Sequence, residues 1–419
     1  MTLTPLVRVV AARLISRTGG EAAFFVGIWG KLAYEFEGSP TDIAIVMAAL
    51  GVAALGGSAV AGALVDRHGP KAVLIGAELL FVPAALSMVL VTDVRQFAVA
   101  VVALGLTSAP TFTAIAALPP FITSDDDELQ RMNSLVEGAG MAALVTGSAI
   151  GAGIAATLGI DAIFVFDAVT SVVAVLFVIG LTVRSVAVED RPRSGLAEIR
   201  AGFTFSWNHP RLRFYLGMGA SLWVMFGLFT ALEPLFFRDV VGVGPEAIGV
   251  VNSLLGAGLV VGTVVAARLG ARIRAARVVV VMLALNGLGS LLYVGTSILT
   301  VVMVAGALWG VLIGVFAPAV RTMLHLNSPP EMVGRVMGTS QALAEIAKLG
   351  PLAIAPAIAA AVGIQVSLAA SGLLLVVIAA ASWRTATHLD ETRTFDVTSE
   401  VPTAALEHGS VPHSADPLD

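Results

Sequence analysis

Cysteine is absent from the 419 residues, which excludes disulfides, thiolate nucleophiles and cysteine-ligated zinc, iron–sulfur or haem sites. Charge is scarce: Asp, Glu, Lys and Arg make up 13% of the chain, about half the roughly 25% of a soluble domain. No Gly-x-x-x-x-Gly-Lys-Ser/Thr phosphate loop occurs, which argues against a primary, ATP-driven pump. The basic residues are few and scattered and the net charge is -5, so there is no footprint for nucleic acid. The chain also lacks the marks of a cleavable signal peptide. Its first apolar run is long, is interrupted by Arg8, Arg13 and Arg17, and has no processing site, so it is expected to be retained.

What is abundant is apolar surface, with 57% hydrophobic residues and a mean hydropathy of +0.92. A soluble globular protein is excluded. At roughly 33 residues per pass, the length has room for about twelve transmembrane helices. Apolar runs bounded by charge or turn residues place them near 8–35, 41–65, 72–92, 95–119, 133–158 and 161–183, then 213–238, 246–268, 277–296, 298–322, 335–362 and 364–383. The expected organisation is an all-α integral membrane protein with four parts: a six-helix half over 1–183, a polar linker over 184–212, a second six-helix half over 213–384, and a disordered polar tail over 385–419. The linker holds an amphipathic segment, Leu196 to Trp207.

Lys and Arg resist translocation. Of the 24 basic residues, 19 fall on the side shared by the two termini, three (Lys31, Arg95 and Arg238) on the opposite side, and Arg17 and Lys348 inside apolar runs. Both termini are therefore expected in the cytoplasm. Shifting the sequence by 205 aligns Pro40, Ile43, Val46, Leu50, Gly51 and Gly57 with Pro245, Ile248, Val251, Leu255, Gly256 and Gly262. Two parallel six-helix repeats are a transporter architecture, with substrate held near the midplane between them.

Between the second and third spans lie Gly62, Asp66, Arg67, Gly69, Pro70 and Lys71. Physical chemistry alone accounts for this as a tight hairpin: Gly69 allows an unusual backbone turn, Gly62 a close helix approach, and Asp66 a cap or an ion pair. The pattern also resembles the signature loop of the major facilitator superfamily, Gly-x-x-x-Asp-Arg-x-Gly followed by two basic residues, with Pro70 in place of the first of these. That resemblance implies twelve helices in two halves and makes Asp66 and Arg67 gating residues that latch the halves in the outward-facing state. Runs at 34–40 (YEFEGSP), 163–171 (IFVFDAVTS), 234–242 (PLFFRDVVG) and 334–338 (GRVMG) look like the bacterial macrolide-efflux and enterobactin-exporter branch, whose members are proton-driven exporters. The fifth-helix antiporter motif of the superfamily is partly present at Gly147 and Gly151, without its proline. Small residues that pack helices together explain the same glycines.

Ionisable groups inside apolar runs cost about 2.5–3.5 kcal/mol each at a helix centre and need a reason. Glu21 shares a face with Arg13 and Arg17 at spacings of four. The three are either a neutralising ladder, or Glu21 lines the cavity and alternates between a protonated and a paired or substrate-bound state. Glu345 and Lys348, three apart, either neutralise each other or exchange partners beside the cavity. Asp167 and Glu233 are cavity or outer-gate acids, with a structural role also open for Asp167. Glu78 and Glu137 are expected to pair with the basic loops.

Phe24, Phe25, Trp29, Trp223, Phe226 and Phe229 are candidates for an aromatic cavity wall, although lipid-facing or packing positions explain such residues equally. They suit a small amphipathic substrate. The expected function is proton-coupled export of drugs, antibiotics or siderophores by a monomer in the bacterial cytoplasmic membrane. Its partners are the substrate, protons and lipid, and the proton gradient takes the place of any cofactor. Proton-coupled uptake uses the same architecture and is the main alternative. A receptor or scramblase on this fold is another. An intramembrane prenyltransferase would need Mg²⁺ at the acidic run Asp125 to Glu128 and a second acidic cluster facing it, which the sequence does not supply.

Overall fold

The computed structural model describes residues 4–184 and 195–391. Most of the expected tail and ten residues of the expected linker, 185–194, lie outside the described residues. Helix α1 (Pro5–Ala22) continues through π-helical turns at Ala23–Ile28 and Lys31–Glu35. It is followed by α2 (Pro40–His68), α3 (Pro70–Leu90), α4 (Val94–Ala117), α5 (Asp126–Leu158) and α6 (Asp161–Ile179). A short α7 (Gly195–Asn208) precedes the second set: α8 (Pro210–Leu235, extended by a π-helical stretch Phe236–Val241), α9 (Pro245–Leu269), α10 (Ala276–Val294), α11 (Leu299–Leu326), α12 (Val333–Val362) and α13 (Ile364–Glu391). Eleven helices, all but α1 and α7, are long and apolar enough to cross a membrane. Helix α1 matches them in length but carries Arg8, Arg13, Arg17 and Glu21. Five helices open on proline, at Pro5, Pro40, Pro70, Pro210 and Pro245, where the missing N–H costs nothing and the fixed φ favours the first turn.

Two boundaries differ most from the hydropathy reading, each because polar groups extend a helix. Helix α5 starts at Asp126, seven residues before the apolar run at 133. The acidic segment Asp125 to Glu128 is its cap: Asp125 Oδ1 accepts the Glu128 amide at 2.8 Å, and Glu128 accepts the Thr123 hydroxyl at 2.6 Å. Helix α13 runs past 384 to Glu391. Asp390 accepts the Ala276 and Arg277 amides at 2.7 and 3.1 Å and pairs with the Arg277 guanidinium at 2.9 Å, so the last helix caps the N-terminus of α10.

The repeat detected in sequence is a repeat of packing. A side chain at Gly57 would lie 2.8 Å from the Leu106 carbonyl oxygen, and one at Gly105 2.9 Å from that of Leu50, so α2 and α4 touch backbone to backbone. In the second half Gly262 meets the Val311 carbonyl and Gly310 that of Leu255. All four residues are displaced by the same 205 positions from their first-half counterparts. The contacts between halves obey the same shift. Gly51 of α2 faces Leu349 of α12 at 3.7 Å, while Gly256 of α9 faces Leu144 of α5 at 3.2 Å. The halves are thus related by a pseudo-two-fold axis along the helices.

The contacts that join the halves gather toward the end remote from the described termini. There Gly249 packs against the Ser148 carbonyl, and the Ser253 hydroxyl donates to the Val145 carbonyl at 3.0 Å. At that end Arg238 Nη1 donates to the Ala33 and Gly38 carbonyls at 2.6 and 3.2 Å, while Asp239 holds its Nε and Nη2 at 2.6 and 3.0 Å.

A methyl at Gly310 would collide with backbone, which cannot move aside, whereas one at Gly217 would meet nothing within 4 Å. Gly310→Ala is expected to lower the thermal stability of the purified protein, at about the 1–3 kcal/mol of an overpacked site, and Gly217→Ala to leave it unchanged or raise it. Scanning fluorimetry in detergent measures both.

Candidate functional site

A cavity of about 580 Å³ lies on the terminal side of the inter-half contacts, within the range that holds drug-sized ligands. Its wall comes from α1 to α6, with Leu259 of α9 the second half's contribution among the lining residues. Its apolar and aromatic lining includes Phe24, Phe25, Ile28, Phe81, Leu104 and Phe112. Its ionisable lining is Arg13, Arg17 and Glu21 on α1, Glu78 on α3, Glu137 on α5 and Asp167 on α6.

The α1 ladder is half formed. Arg17 Nη2 pairs with Glu21 Oε1 at 2.5 Å, and the Glu21 side chain is 5% exposed. Arg13 has no such partner: its Nε is buried without a hydrogen bond. Both guanidiniums lie over the ring of Phe112, at 5.1 Å for Arg13 and 4.7 Å for Arg17, where the aromatic face attracts cations. The antiporter-like glycines position this region. A side chain at Gly147 would lie 2.5 Å from the Thr18 carbonyl and 2.8 Å from the Glu21 Cβ, and one at Gly151 3.1 Å from Ala22. Their absence lets α5 rest on α1 beside the ion pair.

The other acids separate. Asp167 is buried with neither carboxyl oxygen hydrogen-bonded. Glu78 is buried too and accepts the Ser16 hydroxyl at 2.7 Å. It faces the cavity and not the basic loops, so the expected loop pairing is corrected: α3 turns this carboxyl inward. Glu137 also lines the cavity. Glu233 stands outside the cavity, buried in an aromatic box and accepting the Tyr293 hydroxyl at 2.6 Å, with Tyr293 packed against Phe229 and Trp309. Glu345 and Lys348 pair at 2.7 Å on half-exposed α12, with the Lys348 ammonium 5.9 Å from the Trp223 ring.

Of the aromatic candidates, Phe24 and Phe25 line the cavity. Trp29 is buried edge-on to Phe25, Phe226 stacks on Trp309 at 5.8 Å, Phe229 is buried, and Trp223 is exposed. Phe112, Ser16 and Ser171 escaped the sequence reading. One signal for the wall was available: Glu78 is the single acid in the apolar helix Pro70–Leu90, and a lone intramembrane acid marks function by default.

A profile of the Major Facilitator Superfamily matches residues 9–244 and 214–406. The chain belongs to the Major Facilitator Superfamily. It is a multi-pass membrane transporter of that type. No curated protein matches the sequence. Among solved structures, the fold is similar to the nucleoside transporter NupG, with a TM-score of 0.71, 12% identity and coverage of 92% of this chain and 99% of that one. It is also similar to a bacterial homolog of the human lysosomal transporter Spinster, in an inward-facing and unoccupied conformation (TM-score 0.69, 11% identity, 92% and 97% covered). A third is a POT family transporter in complex with 5-aminolevulinic acid (TM-score 0.74, 10% identity, 92% and 96% covered).

The loop that resembles the superfamily's signature joins α2 to α3 at the terminal end. Gly69 takes φ 77° and its N–H closes α2 on the Val65 carbonyl at 2.8 Å, a backbone conformation that favours glycine. Lys71 Nζ donates to the Ile179 and Leu181 carbonyls at 2.8 and 2.7 Å, so this basic residue caps α6 of its own half. Asp66 and Arg67 are exposed beside it, and a side chain at Gly62 would meet nothing within 4 Å.

Arg17 and Glu21 are expected to depend on each other. Arg17→Leu strands a buried carboxylate and lowers stability, and adding Glu21→Gln recovers most of the loss. A double-mutant cycle on thermal melting measures that coupling, and additive effects would refute it.

Proposed function

We propose that the protein is a proton-coupled exporter of small amphipathic molecules in the bacterial cytoplasmic membrane, with both termini cytoplasmic and one cavity per monomer. The observation that carries this reading is the Arg17–Glu21 pair in the wall of an aromatic cavity. Three partners can neutralise Glu21: Arg17, a proton, or a cationic substrate group. A proton and such a substrate compete for one carboxylate, and antiport requires that exclusion. With the termini cytoplasmic, the cavity is inward-open and the Arg238 cluster seals the outer side. Rocking of the halves would expose Glu21 to outside protons that displace the substrate. The family-like runs and the glycines Gly147 and Gly151 support export.

A second reading, proton-coupled uptake of an anion, is favoured by Arg13. A guanidinium without an ion-pair partner among the described residues, set beside carboxyl groups, binds an anion best when those groups are protonated, so anion and proton would travel together.

The sign of proton movement separates the two. In inverted vesicles with an acid interior, macrolides, tetracyclines, phenicols, ethidium and siderophores are added outside. An exported compound collapses the gradient in wild type and not in Glu21→Gln; silence throughout, with medium alkalinisation in right-side-out vesicles, establishes uptake instead.

The outer seal has its own test, because the cysteine-free chain needs no background mutations. A cysteine at buried Ala33 is expected to resist an impermeant maleimide in wild type and to label several-fold faster with Arg238→Ala. Equal rates would remove Arg238 from the seal.

A further inference from the structure

We infer that Asp167 and Glu78 form a two-carboxylate site that carries a transported proton, separate from the Arg17–Glu21 pair that meets the substrate. The inference rests on the proton-coupled reading above and adds a second proton-carrying site to Glu21, the carboxylate for which proton and substrate compete.

Asp167 is 1% exposed and Glu78 3%. Neither oxygen of Asp167 has a hydrogen-bond partner. A bare carboxylate in apolar surroundings costs several kcal/mol, so the group is neutral or holds a cation. Among the described residues no arginine forms an ion pair with either acid: Arg17 is engaged by Glu21 at 2.5 Å, and the Arg13 guanidinium lies over Phe112 at 5.1 Å.

The surroundings are shaped for a carboxyl group. Gly19 lies against it, and a side chain there would come 2.7 Å from Asp167 Oδ1, so the group rests on the bare backbone of α1. Glu78 accepts the Ser16 hydroxyl at 2.7 Å, and Ser171, one turn along from Asp167, lines the same wall. Both acids border the cavity, so water reaches the site from whichever side is open.

The ionisable groups facing this site are Arg13, Arg17 and Glu21 from α1 and Glu137 from α5, while α2 and α4 contribute none to the cavity wall. Two carboxyls in one low-dielectric wall cannot both ionise without cost, whereas Glu21 has Arg17 as its counter-charge. The same helix, α1, carries Gly19 under Asp167 and Arg17 beside Glu21. Movement of α1 against α6 therefore changes the distance from Arg17 to Asp167, which ties proton loss to the substrate-facing pair.

The test is infrared spectroscopy of purified, full-length protein, following the carboxylic C=O stretch across a pH titration in sodium-free buffer. Wild type is expected to show a protonated carboxyl band at neutral pH. Asp167→Asn removes the band, Glu78→Gln shifts it, and Glu21→Gln leaves it in place. In the vesicle assay, Asp167→Asn abolishes gradient collapse by ethidium or any other compound active on wild type, while energy-independent exchange of that compound persists. A band unchanged in both Asp167→Asn and Glu78→Gln overturns the proposal, and so does a band lost from wild type on adding sodium chloride, which would make the site a sodium site. Should Asp167→Asn fail to fold, Glu78→Gln decides, because an unshifted band there contradicts a shared site. If no compound moves protons in wild type, the antiport reading fails while the band still decides whether the pair holds a proton.

Discussion

Carbonyl oxygens lying directly over missing side chains set the frame of this transporter. In lipid, helices gain nothing from burying leucine against leucine, so close backbone approach at small residues must hold them together. The α2–α4 and α9–α11 pairs use that device at identical spacing, and Gly147 and Gly249 extend it to α1–α5 and to the junction of the halves. Everything chemical in the molecule hangs on this frame. Glu21 faces the cavity beside Arg17 because α5 can lie flush against α1, and Asp167 reaches the α1 backbone because residue 19 has no side chain.

The repeats share geometry but not chemistry. At the 205-residue shift, Arg13, Arg17, Glu21 and Glu78 correspond to Met218, Leu222, Phe226 and Leu283. The first half holds the ionisable wall, and the second answers with aromatic packing around the sealed Glu233–Tyr293 bond. Concentrating charge in one half has a physical benefit. The cavity's ionisable groups stand on α1, α3, α5 and α6 of one half, so their meeting does not depend on the docking of two moving bodies.

The sequence made the helices and their repeat plain, because apolar runs in a membrane have few alternatives and prolines mark the starts of five of them. The loop at Gly69 was equally legible, since the positive φ there leaves few residue choices. Glu78 was misread because its depth was judged from distance along the chain, whereas its environment depends on which way α3 faces. The early start of α5 and the late end of α13 depend on Asp125 and Asp390, side-chain caps that hydropathy does not weigh, and the second spans 114 residues of sequence. The cavity wall draws on α1 to α6 and on Leu259 of α9, so the meeting of Phe112 with Arg13 and Arg17 has no local signature.

Arg238 and Ala33 are separated by 205 residues, so the guanidinium binds the backbone of its own counterpart. Such a meeting occurs only on the pseudo-symmetry axis. Two identical halves would place two arginines face to face there, with nothing between them to offset the repulsion. A latch of this kind is open only to a fused chain whose halves are free to diverge: joining the two bundles in one polypeptide permits a cation on one side of the axis and a bare carbonyl on the other, a pairing that no symmetric dimer of six-helix units could make.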